Sequence, residues 1–346
     1  MLYNESDETN ICNIHKKEGA SRKYYIHHSS FIYNQFKKLN LCKFYSNRVI
    51  NHLMSILSSI FISGYHGKTT NFAKNSSCHR TTIAHFLNSG KWNDPLLSDA
   101  LKQAVIEIIY SEAARTGNPV FYIVDDTIVS KTKPLSRALH PIEDAYFHQS
   151  HLKKKQDYGH QAVAVMLSCN GIVQNIAKEL SVPPVMSYFL CDCWYVSEKI
   201  INAFVQKGFH TIGALKTNCL LYPSGMKKKL SELAAELSVT HNGFDLATVK
   251  KRKYYVYRWS IEIFFRQCKD KMALDGYQLH SAQGIKRYWL LMSLAHFMRI
   301  AGTGEFCSFE TGYHKICGIV QLEKYRYLFQ CAKESDDFDS FIKLAG

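Results

Sequence analysis

Residues 251–277 read KRKYYVYRWSIEIFFRQCKDKMALDGY, and the fold and chemistry of the chain both turn on how this stretch is laid out. Carried as a helix from Tyr255 to Lys269 at ~100° per residue, it sets Glu262 ~40°, Lys269 ~20° and Tyr255 ~60° from Arg258. One narrow stripe thus carries all four side chains. Ile263, Phe264 and Cys268 fall elsewhere and can pack against a sheet. Arg258 and Glu262, four residues apart, would suit a solvated face held by spaced ion pairs. The surroundings support another reading, because residues 201–260 hold ten Lys or Arg against three Asp or Glu. A carboxylate among cations can ligate a metal while its neighbours hold phosphates.

Upstream of this helix lie short β-rich runs. Val120 to Val124 is one, stopping at Asp125-Asp126-Thr127. Residues 131–158 are polar and basic, with Lys131, Lys133, Arg137 and Lys153 to Lys155, and read as a loop. Gln161 to Ser168 is a second strand, and Asn170-Gly171 signals a hairpin into a third. Met186 to Cys191 is a fourth, ending at Asp192. Ser197 to Lys207 reads as a helix and Thr211 to Leu215 as a strand. The class is mixed α/β, with aspartates at the ends of two separate strands. Turn and capping aspartates also collect at strand ends, so these acids alone decide nothing.

The helix adds the third element. The spacing Tyr255-x2-Arg258-x3-Glu262-x6-Lys269 resembles the signature of a subgroup of bacterial insertion-sequence transposases of the DDE class. Val124-Asp-Asp-Thr127 resembles the strand of the first acid, and Leu190-Cys-Asp192-Cys-Trp-Tyr195 the strand end of the second. Asp275-Gly-Tyr277 follows as in many members, and the likeness covers roughly residues 60–300. It implies an RNase H-like catalytic domain with Asp126, Asp192 and Glu262 as catalytic acids and metal ligands. Asp125 is the alternative first acid; Asp126 is preferred because the family's acid directly precedes the threonine. Strand alternation lets only one of the two point at the site. The likeness also implies two Mg²⁺ ions, with Mn²⁺ as a substitute. Its substrates would be the terminal repeats of a transposon and target DNA, and its active complex a homodimer. By the same analogy Tyr255, Arg258 and Lys269 contact phosphates near the cleaved end. The run Lys250, Lys251, Arg252, Lys253, interleaved with tyrosines, suits a DNA-facing edge.

The 346 residues carry 43 Lys or Arg and 29 Asp or Glu, a net charge of +14 that favours a polyanionic partner. With 46% hydrophobic residues the chain is of ordinary globular composition. Eleven cysteines without regular spacing point to a reducing, cytoplasmic setting rather than to a disulfide framework, and the resemblance implies a bacterial, nucleoid-associated protein. The apolar stretches 51–63 and 288–298 fall short of the ~20 residues of a membrane span and read as buried helices. Cys191-x-Cys193 lacks a second pair and reads as buried thiols, not zinc ligands.

The domain expectation is an N-terminal arm (1–30), an all-helical DNA-binding domain (31–117), the catalytic domain (118–305) and a helical tail (306–346). Within the second, residues 68–75 and 80–88 form two short helices around Asn75-Ser-Ser-Cys, with Ser77 as a cap and Ile83, Phe86 and Leu87 inward. Both a helix-turn-helix and a plain helical hairpin fit. In the first, Arg80, Thr81, Thr82 and His85 face DNA. Two stretches look short for the family, 171–185 and 245–258, where Lys253 to Tyr257 resembles the opening strand of an inserted subdomain. An internally deleted, inactive relic that still binds DNA is therefore the alternative reading.

Overall fold

The computed structural model describes residues 29–63, 67–74, 76, 78–138, 141–150, 154–170, 172–176, 184–215, 218, 220–221, 225–232, 254–304 and 306–345. Among the described residues five α-helices precede the sheet: α1 (Ser30–Lys38), α2 (Asn47–Ser63), α3 (Thr69–Ala73), α4 (Arg80–Asn88) and α5 (Asp94–Thr116). Caps fix their ends. Asn93 accepts from the Leu96 amide at 3.2 Å to start α5, and Gly117, at φ 68°, ends it in the left-handed conformation that favours glycine. Ile83, Phe86 and Leu87 of α4 are buried as its spacing predicts, while Arg80, Thr81 and His85 are exposed. The cap of α4 is His79, not Ser77, which lies outside the described residues.

A mixed sheet follows, built of β1 (Val120–Ser130), β2 (Tyr146–Ser150), β3 (Lys155–Cys169), β4 (Ile172–Ile176), β5 (Ser187–Cys191) and β6 (Phe209–Gly213). The spatial order is β2-β3-β1-β5-β6, with β4 also on β3. β1 is antiparallel to β3 and parallel to β5, and β5 is parallel to β6 through the crossover helix α6 (Glu198–Gln206). Two expectations are corrected here. β1 does not stop at Asp125 but runs on to Ser130, because β3 pairs with it from Ser168 to Gly159. Residues 131–158 are not all loop: Tyr146 to Ser150 pairs with Lys155 to Gly159 as a hairpin.

The closing helices are α7 (Trp259–Met272), α8 (Ala282–Ala301), α9 (Phe309–Lys333) and α10 (Phe338–Ala345). Tyr254 to Arg258 is a helical lead-in to α7 rather than the opening strand of an insert. Residues 171 and 177–183 of the other suspected short stretch, and the whole run 250–253, lie outside the described residues. The stretch 288–298 lies in α8, buried over much of its surface. Among the described residues no helix is long and apolar enough to cross a membrane, and the nine cysteines are free thiols.

Buried residues from α1 through the strands to α9 join in one core. The start of α1 and helix α9 are tied together. The hydroxyls of Ser29 and Ser30 bond to Glu323 of α9, and the Phe31 amide reaches the same carboxylate at 3.1 Å. Gly312 of α9 lies so near α8 that a Cβ would sit 1.7 Å from the Arg299 carbonyl oxygen. Arg287 of α8 is the polar hub. It pairs with Asp94 at 3.0 Å, donates to the carbonyls of Phe86, Leu87 and Trp92, and lies 4.7 Å from the Trp92 ring centre. Breaking a buried pair from one side leaves the other charge and the carbonyls uncompensated. Arg287→Ala is expected to cost about 3 kcal/mol or more in urea unfolding, and Asp94→Ala, whose carboxylate is partly solvated, less.

Candidate active site

The ladder beside β1 sets the geometry. Val124 is in register with Cys191 of β5, so the next positions, Asp125 and Asp192, are neighbours just past the paired segment. Helix α7 then packs its charged stripe onto β1 rather than toward solvent. Arg258 donates to Asp125 Oδ2 at 2.6 Å and to Glu262 Oε1 at 2.5 Å. Lys269 donates to Thr127 Oγ1 at 2.8 Å and to the Ile128 carbonyl at 3.2 Å. Tyr255 lies alongside, its ring centre 5.7 Å from the guanidinium carbon. Apolar contact anchors the same face: Tyr257 stacks on Phe121 at 4.5 Å, and Ile261, Phe264 and Cys268 are buried.

The odd-numbered residues of β1, Phe121, Asp125 and Thr127, are therefore the ones that meet α7 and its lead-in. The expected first acid, Asp126, is not bonded to Arg258 among the described residues. Asp126 makes other contacts, accepting from Gln161 Nε2 at 2.7 Å and from the Tyr195 hydroxyl at 2.8 Å. It is Asp125, the alternative, that shares a face with Glu262.

Electrostatics follow from this crowding. Burial pushes the Asp125 carboxyl above its ordinary value; Asp126 and Asp192 push the same way, while the Asp126 amide and Arg258 oppose them. The Tyr195 hydroxyl is held well above its ordinary range, first by burial, then by its bond to Asp126 and the charges of Asp126, Asp125 and Asp192. The Tyr255 hydroxyl is raised, chiefly by burial. The buried Cys191 thiol is pushed up to about 12, which fits an inert core thiol.

Among the described residues no three His, Cys, Asp or Glu side chains gather into a metal-binding group. Arg258 takes the place between Asp125 and Glu262, and Asp192 Oδ1 accepts the Cys193 amide at 2.6 Å. The donor chemistry, carboxylate oxygen throughout, is nonetheless what a hard divalent cation takes.

Sequence reasoning missed Tyr195, Gln161 and Thr127 as members of this cluster. Tyr195 stands three residues after Asp192, where a turn brings it back toward β1, and Gln161 is placed by the β1–β3 register. Arg80 and Thr81 lie exposed on α4, in a part of the chain with no bond to these acids among the described residues.

Residues 116–298, just over half of the chain, match the family described as Transposase DDE domain. No curated protein matches the chain. The matched segment begins at the end of α5 and contains the whole sheet, α7 and nearly all of α8.

Arg258 lowers the Asp125 carboxyl against burial and two like charges, so its removal has a definite sign. In Arg258→Met, carboxyl-carbon NMR is expected to show Asp125 titrating at higher pH than in the parent. An unchanged titration would mean that the pair contributes nothing to that carboxyl.

Proposed function

The chain belongs to the transposase DDE-domain family, and on that premise we propose that it cuts DNA at transposon ends and joins those ends to target DNA. The acids we assign are Asp125, Asp192 and Glu262. One observation carries the reading: the register that sets Asp125 beside Asp192, with Arg258 of the charged stripe joining Asp125 to Glu262. The subgroup signature at Tyr255, Arg258, Glu262 and Lys269 supports it.

Each step breaks one P–O bond of a phosphodiester and forms another P–O bond: the first is hydrolysis, which leaves a 3′-hydroxyl and a 5′-phosphate, and the second is transesterification. Water attacks at the transposon end and releases a 3′-hydroxyl; that hydroxyl then attacks a target phosphodiester. Hydrolysis is downhill and the transesterification trades one phosphodiester for another, so no nucleotide cofactor is needed. Mg²⁺, or Mn²⁺ in its place, would be held by the three carboxylates and would stabilise the attacking and leaving oxygens. The protein's own part is positioning and charge. Arg258 offers a planar fork suited to two phosphate oxygens. Lys269, tied to Thr127, and Tyr255 stand on the same stripe and hold the neighbouring phosphate. The helical part of the chain, 31–117, with Arg80 and Thr81 outward on α4, is assigned to binding DNA away from the cut. Two copies bring two ends together.

The ion pairs of Arg258 favour a second reading as well, since carboxylates satisfied by a guanidinium suit a relic that binds DNA without cutting it. Nicking of labelled DNA carrying the ends that flank this gene, in Mg²⁺ or Mn²⁺, separates the two. The transposase reading expects cleavage by the parent and loss of at least about 100-fold in Glu262→Ala, the cost of disturbing a positioned catalytic group. A folded, DNA-binding parent that never cuts would establish the relic.

A further inference from the structure

β1 does not end at the acids. It runs from Asp125 to Ser130, and the ladder then passes to the hairpin of β2 and β3, which continues in the same direction on the outer side of the sheet. At ~3.3 Å per residue the hairpin begins ~17 Å from Asp125 and its described tip, at Lys154, lies a further ~17 Å on.

The root is fixed firmly. The Lys131 amide donates to the Tyr158 carbonyl at 2.7 Å, and the Ser130 hydroxyl to Asp157 at 2.5 Å. A Cβ on Gly159 would lie 2.1 Å from the Val129 carbonyl oxygen, so β3 crosses β1 at an approach closed to any side chain. His160 links the Tyr277 hydroxyl, at 2.7 Å, to the Glu143 carbonyl, at 2.8 Å. Lys131 is spent on this root, donating to the carbonyls of Asp275 and Tyr277 at 2.6 and 2.8 Å.

Beyond the root the surface changes. Lys133, Lys154 and Lys155 are exposed, and none is ion-paired among the described residues. Lys133 stands 5.1 Å over the ring of Phe147. Phe147 is 53% exposed and Tyr146 63%. Lysines on an edge strand also guard against strand-to-strand aggregation. A guard has no use for two large exposed aromatics, which would promote the association it prevents. Cations interleaved with aromatic rings, projecting along a line from clustered acids, suit a polyanion.

We propose that the β2–β3 hairpin is a second contact for duplex DNA, gripping the backbone about 5–10 base pairs from the phosphodiester at the acids, at ~3.4 Å per base pair. The inference rests on the transposase reading, since it takes the acids as the point of cleavage. It places the ligand of Lys133, Lys154 and Lys155 on the same duplex, on one side of the cut.

The test compares the full chain with the triple variant Lys133→Gln, Lys154→Gln, Lys155→Gln on duplexes shortened stepwise from either side of the cleavage position. Affinity is read across a salt series, and urea unfolding checks that the variant is folded. For the parent, trimming one side from about 10 to about 5 base pairs is expected to lower affinity. The same trimming should flatten the salt slope by about 2 to 3, at roughly 0.9 for each phosphate that the protein ceases to neutralise. The variant should begin at the flatter slope and ignore trimming on that side. Equal slopes and affinities for parent and variant at every length would overturn the hairpin contact while leaving DNA processing intact. Failure of the parent to bind any duplex would overturn the transposase reading and the hairpin contact with it.

Discussion

A guanidinium that is half-withdrawn from water must be met by negative charge, and Arg258 is met twice, by Asp125 and by Glu262. Its side chain is only 16% exposed. This double pairing explains why a helix face of Tyr, Arg, Glu and Lys turns toward the sheet and not to solvent. Asp125 could not be left there alone, because burial penalises its charged form and Asp126 and Asp192 add repulsion. The cation makes the cluster of acids tolerable in the folded chain.

Keeping such a cluster in place requires rigid support, and the rest of the fold supplies it. Phe121 and Tyr257 stack at the start of α7, and Lys269 bonds to Thr127 and Ile128 near its end. Past α7 the turn is closed by Ala273 in the left-handed conformation and by Lys131, which holds the carbonyls of Asp275 and Tyr277. Burial lowers that lysine to about 8 from the usual range, a cost the two carbonyls and the Tyr277 ring offset. Helix α8 then runs through the core to Arg287, which binds the N-terminal helices by way of Asp94. Sequence-distant segments thus converge on one object, the position of α7 against β1.

Much of this is legible in the sequence because it is periodic. The stripe at Arg258, the inward residues of α4 and the strand at β5 follow from spacing alone. Aspartates are poor strand residues, so by composition β1 ends at Asp125; its partner β3, paired through Ser130, and the cation of Arg258 carry it onward. The β2–β3 hairpin is hidden by its lysines, which mask the exposed Tyr146 and Phe147 as loop composition. Alternation requires that one of Asp125 and Asp126 face the site. Which of the two bonds Arg258 is a tertiary fact, set by a residue more than 130 positions downstream, and no local pattern encodes it.

The decisive measurement is metal-dependent nicking of end-bearing DNA by Asp125→Asn and Asp126→Asn, each shown to be folded by its unfolding curve. If Asp125 is the first acid, its asparagine variant loses cleavage, whereas Asp126→Asn, which can still accept from Tyr195, retains it. Cleavage by Asp125→Asn together with its loss in Asp126→Asn would contradict the assignment and place the site on the other face of β1.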